Sequence, residues 1–339
     1  MSRSVSIDYS VVVPILNEED TLPELCRRLH DVIVADGSAW EVVFVNDGST
    51  DHSLQVMHEL RGSFPYIKVV DLSRNFGHQP ALTAGLQYAR GRAVMLMDGD
   101  LQDAPEALPD FIRKWKEGYH VVYAIRAKRK ESLLKRLAFA GFYWIQTRIS
   151  SIHTPLNAGI FSLLDRRVVD ALRRMPEYNR YLAGLRAYAG FSQTGIEVER
   201  GKRFRGEPRM SIRSLVKLAL DGMFAFSTLP LRLVFFTGVI LSVLSLLVAA
   251  FGLYYRFVLG KELFSWAYGL TTAFFFGGIQ LISLGIIGEY VGRIYEEVKQ
   301  RPYFIAKETF GFEDTKQSED STPQTARDGN GAYLEPTSK

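Results

Sequence analysis

Two long stretches of this chain, Leu233 to Tyr255 and Leu263 to Gly288, contain no charged residue. As a helix the first would extend roughly 34 Å, against a bilayer hydrocarbon core of about 30 Å. The second is as long and is rich in Phe, Ile, Leu and Gly, as membrane helices often are. Only about seven residues separate the two, so the pattern predicts a transmembrane hairpin rather than two buried helices of a soluble core. A simple soluble protein is excluded.

Basic residues near the spans set the expected orientation. Arg209, Arg213, Lys217 and Arg232 precede the first span, and Arg293, Lys299, Arg301 and Lys307 follow the second. The connecting loop holds Arg256 and Lys261 with Glu262, so both termini are expected in the cytoplasm. No signal peptide is expected, because strand-like sequence begins almost at once, at Tyr9 to Ile15. From about Asp314 the chain is polar and rich in Ser, Thr, Gly and Pro, which predicts a disordered tail. Lys and Arg total 41 against 37 Asp and Glu, a net charge of +4 that gives no ground for a nucleic-acid partner. Cys26 is the single cysteine, so an intramolecular disulfide and a multi-cysteine zinc site are both excluded.

Residues 1–200 alternate strand-like and helix-like runs, the pattern of an α/β sheet domain. Candidate strands are Tyr9 to Ile15, Trp40 to Asn46, Ile67 to Asp71, Ala93 to Met97 and His120 to Ala124. Candidate helices are Glu19 to Val34, Ser53 to Gly62, Pro80 to Gly91 and Pro105 to Gly118. Two further segments have the character of membrane-surface helices. One is the stretch Met210 to Ser227, with Arg213, Lys217 and Asp221 on one stripe; the other is the basic, aromatic-ended stretch Ser132 to Ile149. The expected organisation is a catalytic domain over 1–209, an interfacial helix over 210–228, two spans within 229–292 and a cytoplasmic segment over 293–339.

In sheets of this kind ligands bind beyond the carboxyl ends of the strands. The fourth candidate strand runs into Asp98-Gly99-Asp100-Leu101-Gln102-Asp103. Asp98 and Asp100, two apart in extended chain, can present carboxylates on one side, with Gln102 next along. Such hard oxygen donors suit Mg²⁺ or Mn²⁺, whose shell is completed by water and substrate phosphates. The first strand ends in Pro14-Ile15-Leu16-Asn17-Glu18-Glu19 and the second in Asn46-Asp47-Gly48-Ser49-Thr50-Asp51, so three strand ends carry acidic or amide groups. Asp47 and either Glu18 or Glu19 can accept hydrogen bonds from a nucleobase and ribose, and Gly48 permits close backbone approach. His78, in Ser73-Arg74-Asn75-Phe76-Gly77-His78-Gln79 after the third strand, is within reach of the same edge.

Taken in order, these motifs resemble those of the family 2 glycosyltransferases, whose GT-A fold binds nucleotide sugars. The two spans after an interfacial helix narrow the likeness to the polyprenyl-phosphate glycosyltransferases, the group containing dolichol-phosphate mannose synthases and bactoprenol (undecaprenyl-phosphate) glucosyltransferases. The resemblance implies that Asp98, Asp100 and Gln102 hold the divalent metal against the donor diphosphate. It puts Pro14, Asn17, Glu18, Asp47, Gly48, Asn75 and His78 on the donor side. It further implies that Arg126, Arg136, Arg203 and Arg209 grip the phosphate of a lipid acceptor, as guanidinium groups do. Arg203 to Arg209 is similar to the family's mobile Arg-x-x-Gly-Glu-Ser-Lys segment, with Pro208 and Arg209 in place of Ser and Lys. Asn157 stands where many relatives carry an aspartate cast as a catalytic base.

The resulting expectation is an inverting hexosyltransferase in the bacterial inner membrane, its catalytic domain in the cytoplasm. It would take UDP-glucose first and undecaprenyl phosphate as acceptor, with mannose, galactose or a modified arabinose as other sugars. Association of relatives through the membrane region implies a homo-oligomer, a tetramer among the options. A processive synthase would carry a Gln-x-x-Arg-Trp motif, which is absent here. A sugar-nucleotide sensor or membrane scaffold that had lost its chemistry is the non-enzymatic alternative, and the intact Asp98, Asp100, Arg126 and Arg136 argue against it.

Overall fold

The structure is a computed structural model that describes residues 6–126, 158–178, 180–198, 229–259 and 266–312. Its centre is an eight-stranded sheet. The strands are β1 (Tyr9–Ile15), β2 (Trp40–Asn46), β3 (Ile67–Leu72), β4 (Ala93–Leu96), β5 (Val121–Arg126), β6 (Ala158–Asp165), β7 (Gln193–Val198) and β8 (Ala306–Phe310). Their order across the sheet is β7-β5-β6-β4-β1-β2-β3-β8. β1 pairs in parallel with β2 and β4, from Tyr9 opposite Trp40 to Ile15 opposite Asn46, and β2 pairs in parallel with β3. β6 is antiparallel to both β4 and β5, so β5 runs the same way as β4.

The continuous Val-rich runs of β1 and β2 are explained by burial on both faces, as parallel strands require. Side chains alternate between two cores. Val11, Val13 and Phe44 face α1 (Leu22–Asp36), α2 (Ser53–Ser63) and α4 (Leu108–Lys116), which contribute Leu25, Met57 and Phe111. Val12, Val43 and Leu96 face α3 (His78–Tyr88), α5 (Arg166–Arg173) and α6 (Leu182–Tyr188), which contribute Leu82, Val168 and Leu185. α3 lies so close to the sheet that a Cβ on Gly85 would come within 2.1 Å of Val12 Cγ1. At the edge of the sheet remote from the strand ends, Glu41 accepts a hydrogen bond from Ser10 Oγ at 2.5 Å and pairs with Lys68, so a buried charge is compensated.

The five expected strands are all present, two of them with the same bounds, while α1 and α3 are displaced by two or three residues. α3 starts at His78 because Pro80 fits the first turn of a helix, where its missing N–H costs nothing. The Pro105 to Gly118 run divides into a 3₁₀ turn, Pro105–Ala107, and α4. β6, β7 and β8 were not anticipated. β8 comes from the segment expected to form only a C-terminal extension, and it pairs antiparallel with β3, Val69 opposite Phe310.

The two apolar blocks form α7 (Leu229–Leu259, 31 residues) and α8 (Trp266–Val298, 33 residues). α8 starts three residues later than the second apolar block and runs ten beyond it. Within it, Thr272–Val298 is long and apolar enough to cross a membrane; the corresponding apolar stretch of α7, Leu233–Ser245, is shorter. Phe235, Phe236, Ile240 and Leu247 on α7, and Phe274, Phe275, Leu281 and Ile282 on α8, are exposed. The segments 132–149 and 210–228 expected at the membrane surface, and the tail from Asp314, lie outside the described residues.

Candidate active site

The C-terminal ends of β1, β2, β3 and β4 come out on one edge, and the loops that leave them are tied to one another by polar contacts. Asn17, with φ of 57°, turns the chain after β1. Its N–H donates to Ser49 Oγ at 3.1 Å, and its Oδ1 accepts from the Thr50 N–H at 2.8 Å. Glu18 N–H donates to Ser53 Oγ, and the Glu18 carboxylate accepts from Thr21 Oγ1. Glu19 accepts from the His52 N–H at 2.8 Å, so Glu18 and Glu19 each tie the first loop to the second.

Asp47 is buried, and its carboxylate accepts the backbone N–H groups of Phe76 at 2.7 Å and Gly77 at 3.0 Å. Burial pushes its pKa up, and those two N–H groups pull against that rise. Asp47 thus holds the Ser73 to Gly77 loop against β2. Gly48 has φ of +66°, and a Cβ there would lie 2.5 Å from Asn75 N, so only glycine fits between the two loops. Asn75 is exposed, and its carbonyl accepts from Arg74. Pro14 is buried within β1, opposite Val45.

After β4, Asp98 Oδ1 lies 2.9 Å from His78 Nε2 at the start of α3. His78 keeps 43% of its side chain accessible and Asp98 24%, so the pair lines the cleft rather than the core. Partial burial disfavours the imidazolium. The hydrogen bond and charge of Asp98, with Asp47 and Asp100 behind it, outweigh that cost and hold the pKa of His78 above its ordinary value. Asp103 accepts the Asp98 N–H, and Asp100 Oδ1 accepts the Gln102 N–H. Leu101, at φ of 60°, makes the tight turn that folds this acidic loop on itself.

The sequence reading missed Asp103 as a positioning residue, though it stands in the same motif, and it missed Ser49 and Ser53 as the pegs of the first loop. Arg126 closes β5 opposite Val198 and therefore emerges on the edge that carries Asp98. Asn157, Arg136, Arg203 and Arg209 lie outside the described residues; Asn157 is one position before β6 begins.

Among the described residues, no group of three or more His, Cys, Asp and Glu side chains forms a cage for a metal. The donor set at the β4 end is two carboxylates and an amide on a short loop. That fits a hard divalent cation that borrows the rest of its oxygen shell from water and substrate phosphates.

Residues 10–173 match the family model for glycosyl transferase family 2. An uncharacterized glycosyltransferase of Bacillus subtilis, YkcC, is 41% identical over 93% of this chain and 98% of its own length. The chain belongs to glycosyl transferase family 2. An SfII prophage-derived bactoprenol glucosyl transferase of Shigella flexneri is 36% identical over 88% of this family 2 chain and 97% of its own. Among solved structures, glucosyl-3-phosphoglycerate synthase from Mycobacterium tuberculosis, in complex with Mn²⁺, UDP and phosphoglyceric acid, aligns at 18% identity and a TM-score of 0.43, covering 64% of this chain and 79% of that one. This family 2 protein is a glycosyltransferase, and its sheet domain is of the GT-A type.

Proposed function

We propose that this protein is an inverting glycosyltransferase of the bacterial inner membrane that moves a hexose from a nucleotide diphosphate sugar to a polyprenyl phosphate at the cytoplasmic face. Glucose from UDP-glucose and undecaprenyl phosphate are the preferred pair. The supporting observation is the acidic edge, Asp98 and Asp100 beside His78, in a chain whose relatives named bactoprenol glucosyl transferase match it over most of its length.

In this reading the donor lies across the β1 and β2 ends. Asp47 shapes that part of the pocket by holding the Phe76–Gly77 backbone, and Gly48 lets the nucleotide lie close to the chain. Asp98, Asp100 and Gln102 would hold Mg²⁺ or Mn²⁺, which when bound neutralises the charge that builds on the departing diphosphate. An oxygen of the lipid phosphate attacks C1 while the C1–oxygen bond to the diphosphate breaks, the electron pair leaving with the nucleoside diphosphate. A phosphate monoester, with a second pKa of about 6, is already largely ionised at neutral pH, so no general base is required. Asn157 then orients the acceptor, and Arg126, Arg136, Arg203 and Arg209 hold its phosphate.

Sheet topology supports a membrane hairpin. β8 follows α8 in sequence, yet it completes the sheet begun by β1. If α8 crosses the bilayer, the chain must cross once more between β7 and β8 to bring β8 back, and we assign that crossing to α7, which carries the uncharged run Leu233 to Tyr255. In this reading the paired crossing keeps the sheet domain and residues 306–310 on one side, which we assign to the cytoplasm.

Purified enzyme should release UDP from UDP-glucose only when a polyprenyl phosphate is supplied, and only with Mg²⁺ or Mn²⁺ present. Asp98→Asn and Asp100→Asn should each remove most of that turnover. Release that is independent of the lipid would refute the acceptor assignment, and full activity in a chelator would refute the metal.

A further inference from the structure

Arg186, on α6, is a charge in the wrong place for a structural residue. Only 3% of it is exposed, and among the described residues its Nε and Nη2 have no hydrogen-bond partner. Burial pulls its pKa down to about 10, and among the described residues the groups that act against that fall are the phenols Tyr181 and Tyr123. Its guanidinium lies 5.3 Å from the ring centroid of Tyr123, a cation–π contact that offsets part of the desolvation. A buried cation without a counter-charge is strongly disfavoured.

Arg186 is one of the residues around a cavity of about 10 Å³, with Leu96, Gly159, Ile160, Ser162 and Leu164, and the lining of that cavity is almost wholly apolar. That volume takes one water-sized group, which is also the size of a single phosphate oxygen. Ser162 Oγ is already committed to the Ile160 carbonyl at 2.7 Å, which leaves Arg186 as the charged residue of the lining. The cavity is close beneath the acidic edge. Leu96 pairs with Ser162, and continuing that antiparallel register brings Asp98 level with Ile160. Leu182, one turn before Arg186, donates its N–H to Gln79, the neighbour of His78, so α6 is joined to the His78–Asp98 pair as well.

We propose that Arg186 is an oxyanion-binding residue that takes one phosphate oxygen of a substrate from below the cleft, at the junction of β4 and β6. This rests on the reading that the ligands of the cleft carry phosphate. Two sources offer that oxygen, the donor diphosphate and the lipid acceptor phosphate, and they share the chemistry a guanidinium recognises.

The test uses the full-length enzyme in lipid nanodiscs, with Arg186→Met and Arg186→Lys beside the wild type. UDP affinity in Mg²⁺ is measured by calorimetry, transfer rate is measured against undecaprenyl-phosphate concentration, and thermal melting reports the fold. Arg186→Met should melt no lower than the wild type, because a methionine removes the buried charge. It should weaken one of the two constants about 10- to 150-fold, as loss of a charge-assisted contact does, with Lys restoring part of the loss. A change in UDP affinity identifies the donor as the source, and a change in acceptor KM identifies the lipid phosphate. Wild-type values of both constants in a folded Met variant would overturn the proposal. If Met does not fold, the Lys variant decides: weakened binding supports the site, and unchanged constants refute it. A wild type that transfers no sugar to undecaprenyl phosphate would refute the proposed function instead, and the UDP measurement would still test Arg186.

Discussion

Gly48 and Asp47 show how little freedom single residues have at this edge. One carboxylate fixes a loop through two backbone N–H groups, and the next residue must lack a side chain for that loop to seat. Gly48→Ala adds a Cβ at positive φ and against backbone, which cannot give way as a side-chain tip would. The variant should lose at least tenfold in UDP affinity by calorimetry, with stability reduced by about 1–3 kcal/mol in urea unfolding. Asn157 and Arg126 separate two ideas of acceptor activation. If the lipid phosphate arrives ionised, Asn157→Ala should cost only a modest factor. Arg126→Ala should cost about 10- to 150-fold, seen as weaker use of undecaprenyl phosphate with UDP affinity nearly unchanged. Wild-type acceptor kinetics in Arg126→Ala would remove it from the phosphate site.

Among the elements, α5 is anchored most explicitly. Asp165 ends β6 and caps α5 by accepting the Arg167 N–H, while Trp115 Nε1 of α4 donates to the same carboxylate at 2.9 Å. Burial works against the charged form, but the Trp115 and Arg167 contacts prevail and hold the Asp165 pKa below the usual carboxylate range. The ionised form therefore stabilises the fold. That contribution is complete above the unfolded pKa of about 3.9 and is lost as the pH falls through the lower native value. Asp165→Ala should cost about 0.5–2 kcal/mol at neutral pH. Urea melts of both proteins at decreasing pH should converge below about pH 4, and a gap that stays constant into acid would show that the charge plays no part.

At the level of the whole molecule, β8 ties the chain that follows α8 back to the sheet. It sits at the sheet edge beside β3, where Phe310 packs edge-on against His58 with ring centroids 4.4 Å apart. Tyr178 N–H donates to Glu297 of α8 at 2.9 Å, so the end of that helix is also joined to the chain ahead of α6. If α7 and α8 form the proposed hairpin, a reporter fused after Lys339 and one inserted near Lys261 should read opposite sides. Both reporters on the same side would overturn the hairpin.

The amino-acid sequence by itself determined the elements whose signals are local. Runs of Val and Ile bounded by Gly, Pro and Asp located β1 to β5, because burial on both faces leaves a continuous apolar run. The uncharged blocks located α7 and α8 for a different reason, since apolar runs of that length are too long for strands and read as helices. Strand-end motifs brought Asn17, Asp47, His78 and Asp98 to one edge in advance, since parallel strands share a direction. What only the tertiary structure decided is pairing between distant segments. The run Ala306–Phe310 carries three polar residues in five and does not read as a strand; it becomes one because the edge of β3 offers it unpaired backbone groups. Asp47 read as a nucleotide ligand, and its backbone partners lie 29 and 30 residues away, beyond any local pattern. Nothing in its local sequence sets Arg186 apart from the other arginines of the chain. Its burial and its missing partners arise only when α6 packs on β5 and β6, because desolvation is a property of the neighbours and not of the residue.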